Sequence, residues 1–461
     1  MFKFNKNTKI HFVGIGGIGM SGIAEVLISL GYNVSGSDVA LSQNVQKLKN
    51  LGAEIHIGHK AENLNGVTVV VYTSAVNESN PEISRARAEN IPIIRRAEML
   101  AELMRLKYGL AVAGTHGKTT TTSFLATILS ECEFDPTYII GGIVKNLQGH
   151  AKVGKGEFLV AEADESDGSF LLLSPVMSVI TNIDNDHLDH YGNEENLFKA
   201  FVEFSNKVPF YGIVALNAHD MKLRKLSSEL KRPHVFFGIE GSGLENVDYE
   251  ARNLELSPFS SAFDVFYKGK FQTRMKINLP GRHNILNVLG ATALAHHLDV
   301  PFEKIAKAAE KFEGVGRRFQ LLHKEGSFEV VDDYGHHPTE IASTLRIVKD
   351  TRSDFRKVVI FEPHRFTRTR DCWDTFLHCF NDADELYLLP IYPASEQPIE
   401  GISTERLIED INRLHPKLAQ KVAKIDDVPS LIDSLKGQNT IVVTLGAGAI
   451  GKVARKWAGV E

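Results

Sequence analysis

Short apolar runs recur along the chain, and several of them lead directly into segments with helical periodicity. The runs predict strands at 9–13, 67–72, 109–113, 157–161, 177–182, 357–361, 385–389 and 440–445. The helical pattern is clearest at 22–30, 119–131 and 291–298. Strands that alternate with helices are typical of parallel sheets covered by helices. The pattern therefore predicts an α/β fold.

Glycine-rich turns between a predicted strand and a predicted helix divide the chain into three blocks. They fall near Gly14, Gly114 and Gly446. A length of 461 residues also fits roughly three domains at about 150 residues each. We expect domains at 1–99, 100–316 and 317–461.

Composition narrows the class of protein. With 43% hydrophobic and 24% charged residues, the chain has enough apolar material for buried cores. The net charge of −5 with interspersed signs disfavours a nucleic-acid partner. Three cysteines without a C-x-x-C spacing indicate neither a disulfide framework nor a four-cysteine zinc site. This cysteine usage fits a reducing cytoplasm, so we expect a cytoplasmic protein. No apolar stretch reaches about 18 residues, so we expect no membrane span.

The middle block opens with a glycine turn suited to a triphosphate. A predicted strand leads into Gly114-Thr-His-Gly117-Lys118-Thr119 and then into a helix. Glycines admit phosphate oxygens to backbone N–H groups, a lysine neutralises the transferred group, and a threonine can hold Mg²⁺. The spacing departs from the strict P-loop because Val112 replaces the first glycine. An ordinary glycine turn is the alternative.

Two acidic segments follow strands of the same block. Glu162-Ala-Asp-Glu165 ends one strand, and Asp184-Asn-Asp186-His187-Leu-Asp-His190 follows another. Carboxylates there suit a hard cation such as Mg²⁺, whereas the two His and two Asp residues within the five positions 186–190 also suit zinc. A solvated acidic loop and a structural loop histidine are the alternatives.

The first glycine turn fits the dinucleotide fingerprint. Gly14-Ile-Gly16-Gly17-Ile18-Gly19 follows a strand, and Asp38 stands nineteen residues after Gly19. This pattern makes an NAD-binding oxidoreductase a hypothesis. A second G-x-G-x-x-G, at 446–451, shows how weak the pattern is by itself, and we interpret the second copy as a tight strand–helix turn. An anion at the first helix N-terminus is all that the motif itself requires.

Two turns of the third block carry candidate chemistry. The segments 333–338 and 362–370 each follow a predicted strand, so both can face one cleft. Arg365 and Arg368 are spaced to share a helix face and to pair with a carboxylate or phosphate. The alternative is a solvated basic face paired with Asp371 and Asp374.

Taken together, these motifs resemble the Mur ligases, ATP-dependent enzymes that add amino acids to the peptidoglycan precursor. The resemblance spans nearly the whole chain and rests on Gly114-Thr-x-Gly117-Lys118-Thr119-Thr120, Glu162, Asp186-His187, Gly281-Arg-His283-Asn284-Ile-Leu-Asn287, Gly316-Arg-Arg318-Phe319 and Asp332-Asp333-Tyr334-Gly-His336-His337-Pro338. It implies a Rossmann-like N-terminal domain, a central P-loop ATPase domain with a mainly parallel sheet, and a Rossmann-like C-terminal domain.

The resemblance also implies roles for individual residues. Lys118, Thr119, His187 and Arg318 would be catalytic, and Thr119, Glu162 and His187 would hold Mg²⁺, with Glu165 the rival of Glu162. The residues that would contact ATP are Gly114, Thr115, His116, Gly117, Lys118, Thr119, Thr120, Asn284, Arg318 and Asp333.

One departure from the family pattern points to a branch. Several Mur ligases carry a carbamylated lysine about fifteen residues beyond the metal histidine, where this chain has Val202 flanked by Lys199 and Lys207. The alanine-adding branch also lacks that lysine. The branch implies UDP-sugar binding by Gly16, Gly17, Ile18, Gly19, Asp38, His59 and Ser74, and amino-acid binding by His336, Arg365 and Arg368.

The expected reaction is therefore the ATP-dependent ligation of L-alanine to the carboxylate of UDP-N-acetylmuramate through an acyl phosphate. Three alternatives stay open: a recycling ligase that attaches a murein tripeptide to the same UDP-sugar, a nucleotide-binding switch, and the NAD-binding oxidoreductase. We expect neither a nucleic-acid nor a membrane partner, and a monomer or a homodimer.

Overall fold

The computed structural model describes residues 8–73, 76–144, 146–147 and 149–460. The strands form three sheets, of five, ten and six strands. The chain divides into two compact units, which are described separately below. The first holds the described residues of Met1–Asn253, Phe263–Ile277 and Asn284–Glu313, and the second holds Leu254–Ala262, Asn278–His283 and the described residues of Gly314–Glu461.

The first sheet has the strand order β3-β2-β1-β4-β5, and its neighbouring strands are parallel. Strand order reverses beside β1, and ligands bind where the carboxyl ends of strands diverge at such a point. The strands are β1 (Lys9–Val13), β2 (Asn33–Asp38), β3 (Glu54–Ile57), β4 (Val69–Tyr72) and β5 (Ile93–Arg95). The helices are α1 (Ile18–Ser29), α2 (Gln43–Asn50), α3 (Pro81–Ala88) and α4 (Arg96–Met104).

The second sheet has the order β15-β14-β13-β12-β11-β10-β6-β9-β7-β8. Strand β6 lies between β9 and β10, parallel to both, so the segments after these three strands meet at one edge. The strands are β6 (Tyr108–Ala113), β7 (Thr137–Val144), β8 (Gly149–Lys152), β9 (Phe158–Glu162), β10 (Met177–Ile180), β11 (Val214–Asn217), β12 (His234–Ile239), β13 (Tyr249–Ser257), β14 (Ser260–Tyr267) and β15 (Lys270–Ile277). The helices are α5 (Lys118–Glu131), α6 (Leu188–Tyr191), α7 (Glu194–Ser205), α8 (Met221–Ser227), α9 (Arg282–His297) and α10 (Phe302–Glu310).

The third sheet has the order β16-β17-β21-β18-β19-β20. Strands β17 and β18 flank β21 and run parallel to it, whereas β16 pairs antiparallel with β17. The strands are β16 (Gln320–Glu325), β17 (Phe328–Asp333), β18 (Arg356–Phe361), β19 (Glu385–Leu388), β20 (Ala419–Lys421) and β21 (Thr440–Leu445). The helices are α11 (Pro338–Thr351), α12 (Phe366–Asp371), α13 (Trp373–Phe376), α14 (Thr404–Leu414), α15 (Val428–Ser434) and α16 (Ile450–Ala458).

The predicted α/β class is confirmed, and its cause is visible in the burial of the strands. Strand β21 is buried at every position, and β1 at every position but its first. Central parallel strands are covered on both faces, so they read as continuous apolar runs. The bounds of the three predicted domains stay predictions. Within the part of the chain described, no helix is both long and apolar enough to cross a bilayer.

Candidate active site

The phosphate loop joins β6 to α5, as the sequence predicts. Gly117 precedes the helix with a φ of +82°, which a residue with a Cβ adopts only with strain. A Cβ there would lie 2.6 Å from the side-chain oxygen of Asn287. The backbone N–H of His116 donates to Asn182 at 2.9 Å, and its ring contacts Asp184 at 3.0 Å. The phosphate loop is therefore held in place by the segment that follows β10.

The side chain of Lys118 folds back onto the phosphate loop that precedes it. Its ammonium donates to the carbonyl of Gly114 at 2.7 Å and to both carboxylate oxygens of Glu165 at 2.7 and 3.0 Å. Burial lowers the pKa of Lys118, but the carboxylates of Glu165 and Asp164 outweigh it, so the pKa is raised. Lys118 is accordingly charged at neutral pH, as charge neutralisation on a phosphate requires.

The two rival carboxylates have different partners. Glu162 accepts a hydrogen bond from the hydroxyl of Thr119 at 3.2 Å and from the backbone N–H of Gly141 at 2.6 Å. Burial raises the pKa of Glu162 more than its hydrogen bonds lower it, so its anion lacks full compensation. Glu165 is neutralised by Lys118 instead.

His187 caps the short helix α6 with a left-handed backbone, at φ +59°. Its Nε2 atom lies 3.9 Å from a carboxylate oxygen of Glu165 and 3.5 Å from one of Asp186. His190 has other neighbours, since its ring packs edge-on against Tyr191 at 4.7 Å. The contacts therefore join His187 to Glu165, and Thr119 to Glu162.

The position that carries a lysine in several Mur ligases contributes packing here. Val202 lies on α7 and packs against the apolar core of the first unit. Lys199 and Lys207 pair with Glu195 at 2.6 Å and Glu203 at 3.5 Å, each one helical turn earlier. Both lysines thus pair with glutamates that lie one turn earlier in the same part of the chain.

The glycine turn of the first block lies at the N-terminus of α1. Gly17, Ile18 and Gly19 line a cavity of about 500 Å³ at this helix end, where partial positive charge favours an anion. Gly16 donates its backbone N–H to the carboxylate of Asp38 at 2.8 Å. Asp38 thereby braces the turn while it also lines the cavity.

The same cavity reaches the acidic end of β9. Gly141, Glu162 and Asp164 line it together with Asp38 and His59. Arg96, at the start of α4, also lines it and pairs with Asp164 at 3.2 Å. The glycine turn and the acids beside the phosphate loop therefore share one space.

The cavity contains most of the residues predicted to bind the UDP-sugar. Gly17, Ile18, Gly19, Asp38 and His59 line it. Ser74, which is also predicted to bind the UDP-sugar, lies outside the described residues.

Asn284 lies on α9 near the phosphate loop. It is buried and accepts a hydrogen bond from Asn287 at 3.3 Å, and Asn287 in turn accepts one from Thr121 of α5 at 3.2 Å. Thr120 is buried on the first turn of α5. The predicted ATP contacts of these residues and of Thr115 stay predictions.

Asp333 ends β17 in the second unit. Its carboxylate accepts hydrogen bonds from the backbone N–H groups of Phe319 and Gly335, both at 2.7 Å. Burial raises the pKa of Asp333 to about 6, although Arg318 acts to lower it. A guanidinium nitrogen of Arg318 lies 3.5 Å from a carboxylate oxygen of Glu340. The roles of Asp333 and Arg318 toward ATP stay predictions.

The turns after β17 and β18 meet within this unit, as predicted. The ring centroid of His336 lies 6.0 Å from that of His364, which stacks on Tyr392 at 5.4 Å. Arg365 is 45% exposed and lies 4.0 Å from Glu396. Arg368 is half-buried on α12. The predicted amino-acid residues thus surround a ring that the sequence did not single out.

The imidazole of His364 has the electrostatics of a neutral acceptor. Burial and the guanidinium groups of Arg368 and Arg365 lower the pKa of His364 to about 4. Its Nδ1 atom is buried and has no hydrogen-bond partner among the residues that the structure describes. A neutral ring between two arginines can accept a hydrogen bond from an amine.

The second G-x-G-x-x-G is a closed strand–helix turn. It connects β21 to α16, and the carboxylate of Glu362 accepts the backbone N–H of Ile450 at 2.9 Å. A Cβ on Gly448 would lie 2.5 Å from that carboxylate, and one on Gly451 would lie 2.5 Å from Arg317. An internal carboxylate thus takes the place that a bound phosphate would need, which supports the tight-turn interpretation.

Four residues of these sites are not identified by sequence reasoning: Arg96, Asn287, His364 and Glu82, the last of which lies 3.1 Å from the ring of His59. Arg96 lies close to the predicted boundary between residues 99 and 100, and its partner Asp164 is 68 positions away. Asn287 and His364 stand within motifs that the sequence singles out, and this position in a motif is the one signal that could have identified them. Glu82 gives none, because a glutamate in the first turn of a helix is usually a solvent-exposed, helix-stabilising residue.

Three family models match consecutive parts of the chain. The first, described as Mur ligase family, catalytic domain, matches residues 9–108. The Mur ligase middle domain matches 112–295, and the Mur ligase, glutamate ligase domain matches 317–448.

Several curated relatives match over almost their full length. A UDP-N-acetylmuramate--L-alanine ligase of Trichlorobacter lovleyi is 50% identical over 443 residues, which is 96% of each chain. The enzyme of the same name from Geobacter sulfurreducens is 50% identical over 97% of this chain and 96% of its own. The crystal structure of a UDP-N-acetylmuramate-alanine ligase from Thermotoga maritima matches with a TM-score of 0.81 and 32% identity over 98% of both chains.

Proposed function

The chain belongs to the Mur ligase family, and on that basis we propose that it joins L-alanine to the carboxylate of UDP-N-acetylmuramate at the expense of ATP. This reaction makes a peptidoglycan precursor. The relatives at about 50% identity carry the name of that activity. Dinucleotide-dependent oxidoreduction is not needed to explain the first glycine turn, because the diphosphate of a UDP-sugar needs the same anion cradle.

One observation carries the proposal: a single cavity is lined both by the glycine turn of the first sheet and by the acidic residues at the end of β9 in the second sheet. It runs from the N-terminus of α1 to Glu162 and Asp164 beside the phosphate loop. A sugar acid whose diphosphate rests on α1 would direct its carboxylate toward the nucleotide. Two substrates must meet in this way for a carboxylate to be activated by ATP.

The chemistry follows from the weakness of a carboxylate as an acyl donor. The sugar carboxylate attacks the γ-phosphorus of ATP in line, so a C–O–P bond forms, the bond to ADP breaks, and an acyl phosphate results. The neutral amine of alanine then attacks the acyl carbon, phosphate leaves, and the amine loses a proton. The first step brings two anions together, and stabilisation of the charge that develops on the phosphoryl group dominates catalysis.

The ammonium group of Lys118 supplies positive charge for the phosphoryl transfer. It holds two carboxylate oxygens of Glu165 and one loop carbonyl. A γ-phosphate in the loop would compete with these oxygens for the ammonium of Lys118. Lys118 thereby neutralises the phosphoryl group as charge develops.

Thr119 and Glu162 would hold Mg²⁺. They offer a hydroxyl and a carboxylate within 3.2 Å of each other, the oxygen donors that Mg²⁺ prefers. The raised pKa of buried Glu162 indicates an anion that a cation would stabilise, whereas Glu165 already has Lys118, so we assign Glu162 as the ligand. When bound, the ion screens the repulsion between the carboxylate and the phosphates. His187 would belong to the same cation region through Glu165 and Asp186.

His336, Arg365 and Arg368 would bind the amino acid in the second unit. An arginine pair suits the carboxylate of alanine, and the neutral ring of His364 suits its amine. ATP and UDP-sugars are cytoplasmic metabolites, so we also assign the reaction to the cytoplasm.

Product analysis with purified protein tests the proposal. With ATP, Mg²⁺ and UDP-N-acetylmuramate, we expect L-alanine to yield ADP, phosphate and a product heavier than the UDP-sugar by one alanyl residue. A parallel reaction with the tripeptide should yield far less product. Preferential ligation of the tripeptide would instead identify a recycling ligase, and ADP formation without ligation would contradict both.

A further inference from the structure

A buried acid lies directly behind the sugar-nucleotide cavity. Glu82, at the start of α3, is completely buried. Its carboxylate accepts hydrogen bonds from the hydroxyl of Ser37 and the side-chain amide of Asn63, both at 2.6 Å. The Nδ1 atom of His59 lies 3.1 Å away, and the Nε2 atom of His11 lies 3.4 Å away. Of these residues, His59 also lines the cavity.

The ionisation of Glu82 is fixed by these partners. Burial acts to raise the pKa of Glu82, but His11, Ser37 and Asn63 outweigh it and lower the pKa to about 2. The carboxylate is therefore an anion at neutral pH, and an anionic carboxylate only accepts hydrogen bonds.

That condition places a proton on one nitrogen of His59. The hydroxyl proton of Ser37 is already donated to Glu82 at 2.6 Å. The Nδ1 atom of His59 lies 2.9 Å from the Ser37 oxygen and 3.1 Å from the Glu82 oxygen. Both neighbours accept at this point, so Nδ1 must carry the hydrogen. In the neutral ring, Nε2 is then an acceptor.

We propose that Glu82 is a positioning residue of the sugar-nucleotide site, which holds the hydrogen of His59 on Nδ1 so that Nε2 accepts a hydrogen bond from the uridine part of the substrate. This inference rests on the proposed function, since it takes a UDP-sugar as the ligand of the cavity. The uridine half offers two kinds of donor, the imide N–H of uracil and the hydroxyls of ribose. His59 thereby selects a ligand with a donor at this position.

The ring proton can be located without any substrate. Multiple-bond ¹H–¹⁵N correlation spectra of the full chain labelled with ¹⁵N-histidine report the tautomer of each ring, and His59→Gln identifies the His59 signals. We expect the Nδ1–H tautomer in the wild type. In Glu82→Gln the isosteric amide no longer enforces that proton, so the Nε2–H form should dominate. An Nε2–H ring in the wild type, or spectra that are unchanged in Glu82→Gln, would overturn the proposal.

Binding of UDP then tests the consequence. By calorimetry we expect Glu82→Gln to weaken UDP roughly tenfold, the equivalent of about 1.4 kcal/mol, and to have no further effect in a His59→Ala background. Ser35→Ala is the matched control, because Ser35 is a buried partner of the other cluster histidine, His11, at 3.0 Å. Its UDP affinity should equal that of the wild type. Equal losses in Ser35→Ala, or an undiminished loss without His59, would indicate a merely structural role.

Three nucleotide analogues identify the donor. N3-methyl-UDP lacks the imide N–H, 2′-deoxy-UDP lacks one ribose hydroxyl and 3′-deoxy-UDP lacks the other. One of the three should lose more affinity for the wild type than for Glu82→Gln, and equal losses of each analogue for both proteins would contradict the proposal. If the wild type failed to bind UDP at all, the proposed function itself would fail, whereas the tautomer of His59 would still be measurable.

Discussion

The ammonium of Lys118 lies 2.7 Å from a carboxylate oxygen of Glu165. The phosphate loop thus carries an internal counter-ion, supplied by the segment that follows β9. An ion pair of this kind keeps the lysine charged and in place while no triphosphate is bound. It also gives the loop a defined response to a γ-phosphate, which would take over the donors of Lys118.

Replacement of Lys118 by methionine should strongly lower turnover without loss of sugar-nucleotide binding. Loss of one contact to developing negative charge costs about 3 to 4 kcal/mol of barrier, so we expect kcat to fall at least roughly a hundredfold. UDP-N-acetylmuramate affinity should stay near that of the wild type, because the glycine turn of α1 holds the diphosphate. Steady-state kinetics and calorimetry measure the two quantities. Near-wild-type turnover would refute the role of Lys118.

Removal of one carboxylate at a time distinguishes the two metal candidates. We expect Glu162→Gln to raise the Mg²⁺ concentration for half-maximal turnover about tenfold or more, since it deletes the carboxylate beside Thr119. Glu165→Gln is the matched variant three residues away. It should lower turnover with little change in the Mg²⁺ requirement, because Glu165 serves Lys118. The reverse pattern in Mg²⁺ titrations would assign the ion to Glu165.

Neither glycine fingerprint should bind a nicotinamide dinucleotide. The first should take UDP-N-acetylmuramate with a saturable isotherm, and the second is closed by Glu362, which accepts from Ile450 at 2.9 Å. Titration calorimetry with NAD and with the UDP-sugar compares the two ligands directly. Saturable binding of NAD with none of the UDP-sugar would overturn the assignment of the first block.

The buried cluster around Glu82 predicts a loss of local stability in acid. The pKa of Glu82 is lowered from 4.5 to about 2 by folding, so its contribution is complete above pH 4.5 and disappears as the pH falls toward 2. The full contribution is on the order of 3 kcal/mol, and roughly 1 kcal/mol of it should be lost at about pH 3.5. Hydrogen exchange of the β1 and β2 amides, compared between wild type and Glu82→Gln, measures it. A difference that is independent of pH would contradict the account.

Strands at the centre of sheets were predictable because burial on both faces leaves an unbroken apolar run. The predicted runs at 9–13 and 440–445 coincide with β1 and β21. Strand β2, with the sequence NVSGSD, is not an apolar run, and its buried Ser35 and Ser37 instead make hydrogen bonds to His11 and Glu82. A polar strand of this kind is recognised only when its partners are known.

The local motifs of the site were likewise predictable, whereas its long-range partners were not. Glu162 and Glu165 stand three residues apart in one segment, and the sequence has no means to decide between them. Their separate partners, Thr119 and Lys118, come from the chain's return to the same sheet edge. Arg96 reaches Asp164 only because the first two sheets pack within one unit. Such contacts depend on topology and not on spacing.

The path of one oxygen atom tests the central claim most directly. If the sugar carboxylate attacks ATP within the shared cavity, UDP-N-acetylmuramate labelled with ¹⁸O in its carboxylate must deliver one labelled oxygen to the phosphate that leaves. We expect mass spectrometry of the released phosphate to show one ¹⁸O atom per turnover in the presence of L-alanine. Unlabelled phosphate accompanying product formation would contradict the account.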